Sequence, residues 1–136
     1  MTSVQFRLDH VMVRVSDLGR SLRFYRDILG MEVLRYTEYE AGQFTNVFLR
    51  FANQSEAALE LTYNWHQSEP YQVGNAFGHL ALVVDDVVVA VDYLRQQGVH
   101  IKTAPKQMNH GQRIIAFVSD PDAYLIELLE PLSTAV

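Results

Sequence analysis

Two histidines and two glutamates stand at repeated positions in this 136-residue chain. His10 begins the run His10-Val11-Met12-Val13-Arg14-Val15-Ser16-Asp17, and His79 begins His79-Leu80-Ala81-Leu82-Val83-Val84-Asp85-Asp86. The segment Ala58-Leu59-Glu60-Leu61 is matched by Leu125-Ile126-Glu127-Leu128. Glu60 lies 50 residues after His10, and Glu127 lies 48 after His79. An ionised carboxylate amid leucine and isoleucine is costly unless it is paired or bound to a metal. Imidazole and carboxylate together suit a divalent ion such as Zn, Ni, Co, Mn or Fe(II). A lone histidine at a strand start is ordinarily a hydrogen-bonded structural residue, and a lone strand glutamate ordinarily faces solvent. Duplication of the whole set favours one shared metal site instead. His66 and His110 fall in loop-like segments and His100 has no repeat partner, so all three are expected at the surface.

The elements that must position these residues follow from periodicity. Residues 6–15 alternate as a strand, with His10, Met12 and Arg14 on one side and Val11, Val13 and Val15 on the other. Ser16 and Asp17 suit the cap of a helix over about 17–29, with Leu18, Leu22, Phe24 or Tyr25, and Leu29 at helical spacing. Gly30 is its expected C′ residue. Strands are expected over 31–40, where the alternation is imperfect, over 43–51, and over 57–64. The last has Ala58, Glu60, Thr62 and Asn64 on one face. Pro70 and Gly74 mark a linker over 65–76.

The order then repeats. A strand over 80–84 leads to a helix over about 87–97, capped by Asp86 and ended by Gly98. A short strand over 99–102 follows. Ala104 to Gln112 shows no strand pattern and reads as a loop around Gly111. A strand over 113–119, a turn at Asp120-Pro121-Asp122-Ala123 and a strand over 124–129 complete the unit. The class is α+β: two βαβββ modules whose mixed sheets each curl around a cavity. The expectation is one domain, 1–136, built from module 1 (about 6–65) and module 2 (about 77–130).

Composition narrows the function. The net charge of -5 and the absence of a basic stripe argue against nucleic acid as a partner. The chain has no cysteine, which excludes disulfides, thiolate catalysis and thiolate metal ligation. No apolar run is long enough to span a bilayer, and no signal peptide is visible at the N-terminus, so a cytoplasmic protein is expected.

Three segments stand out: Leu59-Glu60-Leu61-Thr62-Tyr63-Asn64-Trp65, Phe77-Gly78-His79-Leu80-Ala81, and Ile115-Ala116-Phe117-Val118-Ser119-Asp120-Pro121-Asp122. They resemble glyoxalase I (lactoylglutathione lyase), a family of the vicinal oxygen chelate superfamily. Tyr25 to Met31 matches the end of the family's first helix. The likeness runs from about Phe6 to Glu130. It implies paired βαβββ modules and a homodimer with active sites at the subunit interface. One divalent metal per site would be bound by His10 and Glu60 of one chain with His79 and Glu127 of the other. Family members isomerise the hemithioacetal of methylglyoxal and glutathione to S-D-lactoylglutathione. By the same likeness Glu127 is the mobile ligand and general base, and Glu60 its symmetry-related carboxylate.

Arg14 and Asn64 match positions that bind glutathione, the co-substrate. The compact length favours Ni²⁺, with Zn²⁺ or Co²⁺ as alternatives. The competing classes are another metalloenzyme of the superfamily, a dioxygenase or an epimerase, and a metal-free drug-sequestering module. Four repeated ligands argue against both.

Two departures from the family pattern concern the substrate side and a turn. Asn109-His110-Gly111 lacks the cation that the family places shortly before this glycine. That leaves Lys102, Lys106 or Arg113 for the glycyl carboxylate. Ala123 replaces the glycine of Asp-Pro-Asp-Gly-Tyr, so its turn either avoids positive φ or carries slight strain.

Overall fold

The computed structural model describes residues 3–54, 56–108 and 113–132. The chain divides into two compact units, Met1–Tyr71 and Gln72–Val136. In module 1, β1 (His10–Val15) leads to α1 (Leu18–Leu22), which runs directly into a π-helical segment, Arg23–Ile28. Then come β2 (Glu32–Tyr39), β3 (Phe44–Arg50) and β4 (Ala58–Asn64). Module 2 follows with β5 (His79–Val83), α2 (Val87–Gln96), β6 (His100–Gln107), β7 (Ile114–Ser119) and β8 (Leu125–Leu129).

Each module is one four-stranded mixed sheet, ordered β1-β4-β3-β2 and β5-β8-β7-β6. The first and last strands of a module pair parallel, and the other pairs are antiparallel. A parallel pair needs a long crossover, and the helix and two intervening strands provide it.

The helix ends follow the sequence signals. Asp17 accepts a hydrogen bond from the Arg20 amide at 3.0 Å, and Asp86 accepts one from the Val89 amide at 3.1 Å. Gly30 and Gly98 take φ of +86° and +82°, left-handed conformations that favour glycine. The first helix departs from expectation in its phase. The π-helical segment slows the rotation per residue. Phe24 and Tyr25 are therefore both buried, and Ile28 takes the buried position expected for Leu29. Most buried side chains of module 1 come from the two helical segments and from one sheet face, among them Val13, Val15, Val47, Leu49, Leu59 and Leu61, while Glu60 is buried on the other face. Each such aliphatic residue contributes about 1.5–3 kcal/mol by leaving water.

Several strand boundaries differ from the sequence reading, most of them by one residue. β1 starts at His10, not residue 6, and β5 starts at His79, so both histidines open their strands. β6 runs through Gln107, where a loop was expected from 104. Two register shifts hide it, between Ile101 and Thr103 and between Thr103 and Lys106. Such bulges break the two-residue alternation. β6 is also an edge strand, which tolerates Pro105 and its missing N–H. The imperfect alternation of β2 has the same cause, a shift between Val33 and Arg35. Residues 109–112, including His110 and Gly111, lie outside the described residues. No described helix is long and apolar enough to cross a membrane.

Candidate functional site

Register brings each histidine to its glutamate. β1 and β4 run side by side with Met12 opposite Glu60, and β5 and β8 place Ala81 opposite Glu127. In both modules the histidine sits two residues before that partner, on the same face. The imidazole reaches the carboxylate in each case: His10 Nε2 lies 3.1 Å from Glu60 Oε1, and His79 Nε2 lies 3.3 Å from Glu127 Oε1. The glutamate side chains are only 10% and 14% exposed, whereas the histidines keep 37% and 40%. Each pair is a shielded carboxylate with an imidazole at its open side.

A third member completes the unit. Phe48 pairs with Glu60 across β3 and β4, and Phe117 pairs with Glu127 across β7 and β8. Their rings meet the histidines edge to face, His10–Phe48 at 5.2 Å and 87°, His79–Phe117 at 5.3 Å and 75°. Such contacts fix the imidazole plane. The sequence reading missed both phenylalanines, although a signal existed. Phe48 follows His10 by 38 residues, and Phe117 follows His79 by 38.

The donor set fits a divalent ion. Two ligand atoms each bound at about 2.1 Å and about 90–110° apart lie about 3.0–3.4 Å from each other, the range both His–Glu pairs occupy. His10 strengthens this. Its Nδ1 lies 2.6 Å from Asp9 Oδ2, so both ring nitrogens face carboxylate oxygens. A neutral imidazole has one proton for two such partners, and a cation at Nε2 would satisfy the second. The hydrogen bond from His10 holds the Asp9 carboxyl below the ordinary aspartate range, with smaller help from the charges of His10, Arg35 and Arg7. Within either module, the described residues hold no group of three or more His, Asp or Glu placed to bind a metal ion. Each module presents a pair.

Beyond these pairs the faces diverge. The row through Glu60 is Arg35–Phe48–Glu60–Met12, with the Arg35 guanidinium 4.3 Å above the Phe48 ring. The next row on that face is Thr37–Asn46–Thr62–Arg14, and Thr62 donates to Asn46 at 2.8 Å. A third row holds Asn64, whose amide donates to the Tyr71 hydroxyl at 2.8 Å. Arg14 and Asn64 therefore share the face of Glu60. In module 2 the row after Thr103–Phe117–Glu127–Ala81 is Lys106–Ile115–Leu129–Val83.

Of the three cations considered for a carboxylate, Arg113 donates through Nε to the Glu130 carbonyl at 2.9 Å. Lys102 sits at a register shift, and Lys106 lies in a row on the Glu127 face. His66 and His100 are exposed.

The turn before β8 resolves the Ala123 question. Ala123 takes φ of +68°, so the turn adopts the left-handed conformation and bears the strain of a Cβ there. Buried Asp120 holds this turn, accepting from the amides of Asp122 at 2.9 Å and Tyr124 at 2.8 Å. Ala57, just before β4, takes φ of +61°.

Comparison with known proteins agrees with this architecture. Residues 7–128 match the model of the Glyoxalase/Bleomycin resistance protein/Dioxygenase superfamily. The chain belongs to that superfamily. A probable lactoylglutathione lyase of Synechocystis is 47% identical over 125 residues, covering 91% of this chain and 95% of that protein. A lactoylglutathione lyase of Neisseria meningitidis serogroup A is 43% identical over 128 residues, covering 93% and 92%. The crystal structure of glyoxalase I from Zea mays superposes with a TM-score of 0.85 at 36% identity. That match covers 94% of this chain but 46% of the maize chain, so this chain spans about half its length.

Proposed function

We infer that the chain is a lactoylglutathione lyase, isomerising the methylglyoxal–glutathione hemithioacetal to S-D-lactoylglutathione. The observation that carries the reading is the pair of His–Glu contacts, 3.1 Å in one module and 3.3 Å in the other, each beside the same edge-on phenylalanine. The names of the relatives point to the same reaction.

In this reading His10 and Glu60 of one chain and His79 and Glu127 of a second chain hold one divalent ion, so the working form is a homodimer. A divalent ion held by these four residues would supply positive charge to stabilise the anion formed by proton loss beside a carbonyl. Glu127 is the base that takes the proton from C1 and returns it at C2. Its carboxylate is only 14% exposed, which limits competition from bulk water for that proton. Glu60 is its counterpart in module 1. Arg14 and Asn64 bind glutathione, supported by their rows on the Glu60 face. Lys106 is the cation for the glycyl carboxylate, supported by its row on the Glu127 face. Ni²⁺ is the preferred ion, with Zn²⁺ or Co²⁺ as alternatives. A reduced-glutathione substrate suits the cytoplasm, where that thiol is kept reduced.

The test is hemithioacetal isomerisation after chelation, followed by addition of Ni²⁺, Co²⁺ or Zn²⁺ separately. Activity should vanish and return with at least one ion. No activity with any of them would sink the reading.

A further inference from the structure

We propose that Asp9 is a positioning residue that locks the tautomer of His10 and makes module 1 the metal-anchoring half of the site. The proposal rests on the reading of His10 as a metal ligand. Its physical basis is the line Asp9 Oδ2, His10 Nδ1, His10 Nε2, Glu60 Oε1, with gaps of 2.6 Å and 3.1 Å at its two ends.

A neutral imidazole carries its proton on one nitrogen only. The shorter, charge-assisted contact to Asp9 fixes that proton on Nδ1. The Nε2 lone pair is then directed at the Glu60 carboxylate, an arrangement of two electron pairs that a bound cation reconciles. Asp9 thus prepares the ligand before any ion arrives, and its charge makes Nε2 a stronger donor. The ring has little freedom to turn away, because Phe48 meets it edge-on at 5.2 Å.

Module 2 lacks this device. Gly78 holds the position before His79 that Asp9 holds before His10, and it has no side chain to offer. The remaining parts, His79, Glu127 and Phe117, repeat closely. Behind the imidazole the two halves differ in the carboxylate, present in module 1 and absent from position 78 of module 2. The half with Asp9 keeps the ion, and the half without it is the looser one. This difference accords with the proposed assignment of Glu127, and not Glu60, as the base.

The experiment uses the full-length protein freed of metal, and compares wild type with Asp9→Ala and Asp9→Asn. Nitrogen-15 imidazole spectra of the metal-free protein read the tautomer directly, and competition with a chromophoric chelator reads Ni²⁺ and Co²⁺ affinity. Wild type should show His10 protonated at Nδ1. Asp9→Ala should show mixed tautomers and bind both ions about 10–100-fold more weakly, with Asp9→Asn in between because its amide oxygen still accepts. The Asp9 side chain is 88% exposed, so thermal melting should not change. Wild-type affinity or an unaltered tautomer in Asp9→Ala would overturn the role of Asp9 alone. A wild-type protein that takes up neither ion would overturn the metal reading and this proposal together.

A reciprocal variant sharpens the result. A Cβ built on Gly78 meets no atom within 4 Å, so Gly78→Asp is accommodated. It should tighten ion binding, and weakened binding would count against the proposal.

Discussion

Module 1 and module 2 agree around the glutamate and part company one row further along the sheet. Around the glutamate both present histidine, glutamate and phenylalanine in the same register. The next row is polar in module 1, with Arg14, Thr62 and Asn46. It is apolar in module 2, with Val83, Leu129 and Ile115 before Lys106 at the edge. In the proposed reading, the repeated part would hold the ion and the divergent part would meet a substrate with a peptide-like, anionic end and a small reacting end.

Substitutions can break that comparison, beginning with the largest effect. Glu127→Gln should lower turnover by about 10²–10⁴-fold, the range of a lost general base. Steady-state kinetics with unchanged kcat would remove Glu127 from that role. Asp120→Ala should cost about 2–3 kcal/mol, because two backbone N–H groups in the turn before β8 lose their acceptor. Denaturant unfolding checks this, and a loss below about 0.5 kcal/mol would show that water replaces the carboxylate freely.

Arg14→Ala should chiefly raise KM for the glutathione adduct, by about tenfold, with kcat nearly kept. A variant of Val83, at the equivalent position of the apolar row, should leave KM for the adduct much closer to wild type. Equal effects would erase the distinction between the two walls. The smallest change expected is Ala123→Gly. Relief of the left-handed alanine, less the added chain entropy of glycine, should raise stability by about 1 kcal/mol or less. A fall in melting temperature would contradict it.

The sequence carried the ends of the elements better than their middles. Asp17, Asp86, Gly30 and Gly98 act locally, through side chain to backbone bonds and a left-handed φ, so their residue types alone announce them. β6 was hidden because its two register shifts and Pro105 erase the alternation by which a strand is recognised. The first helix was placed correctly but given the wrong phase, since nothing in Arg23–Ile28 signals a π-helical stretch.

At the site, the pairing of His10 with Glu60 and of His79 with Glu127 was legible because titratable groups recur at matching places in two apolar runs. Phe48 and Phe117 were not, because a phenylalanine in a strand looks like core. Their equal 38-residue separation from the histidines was the available clue. The two-residue difference between the His–Glu spacings also has a structural origin. The hairpin before β4 spans residues 51–57, and the one before β8 spans 120–124.

The most direct test of a site assembled from two chains is complementation between two inactive variants. His10→Ala and His79→Ala should each be inactive as homodimers. When the two are unfolded together and refolded in equal amounts, each mixed dimer regains one intact site, with His10 from one chain and His79 from the other. With random pairing, about one quarter of wild-type activity should return. A mixture as inactive as its parents would contradict the shared site.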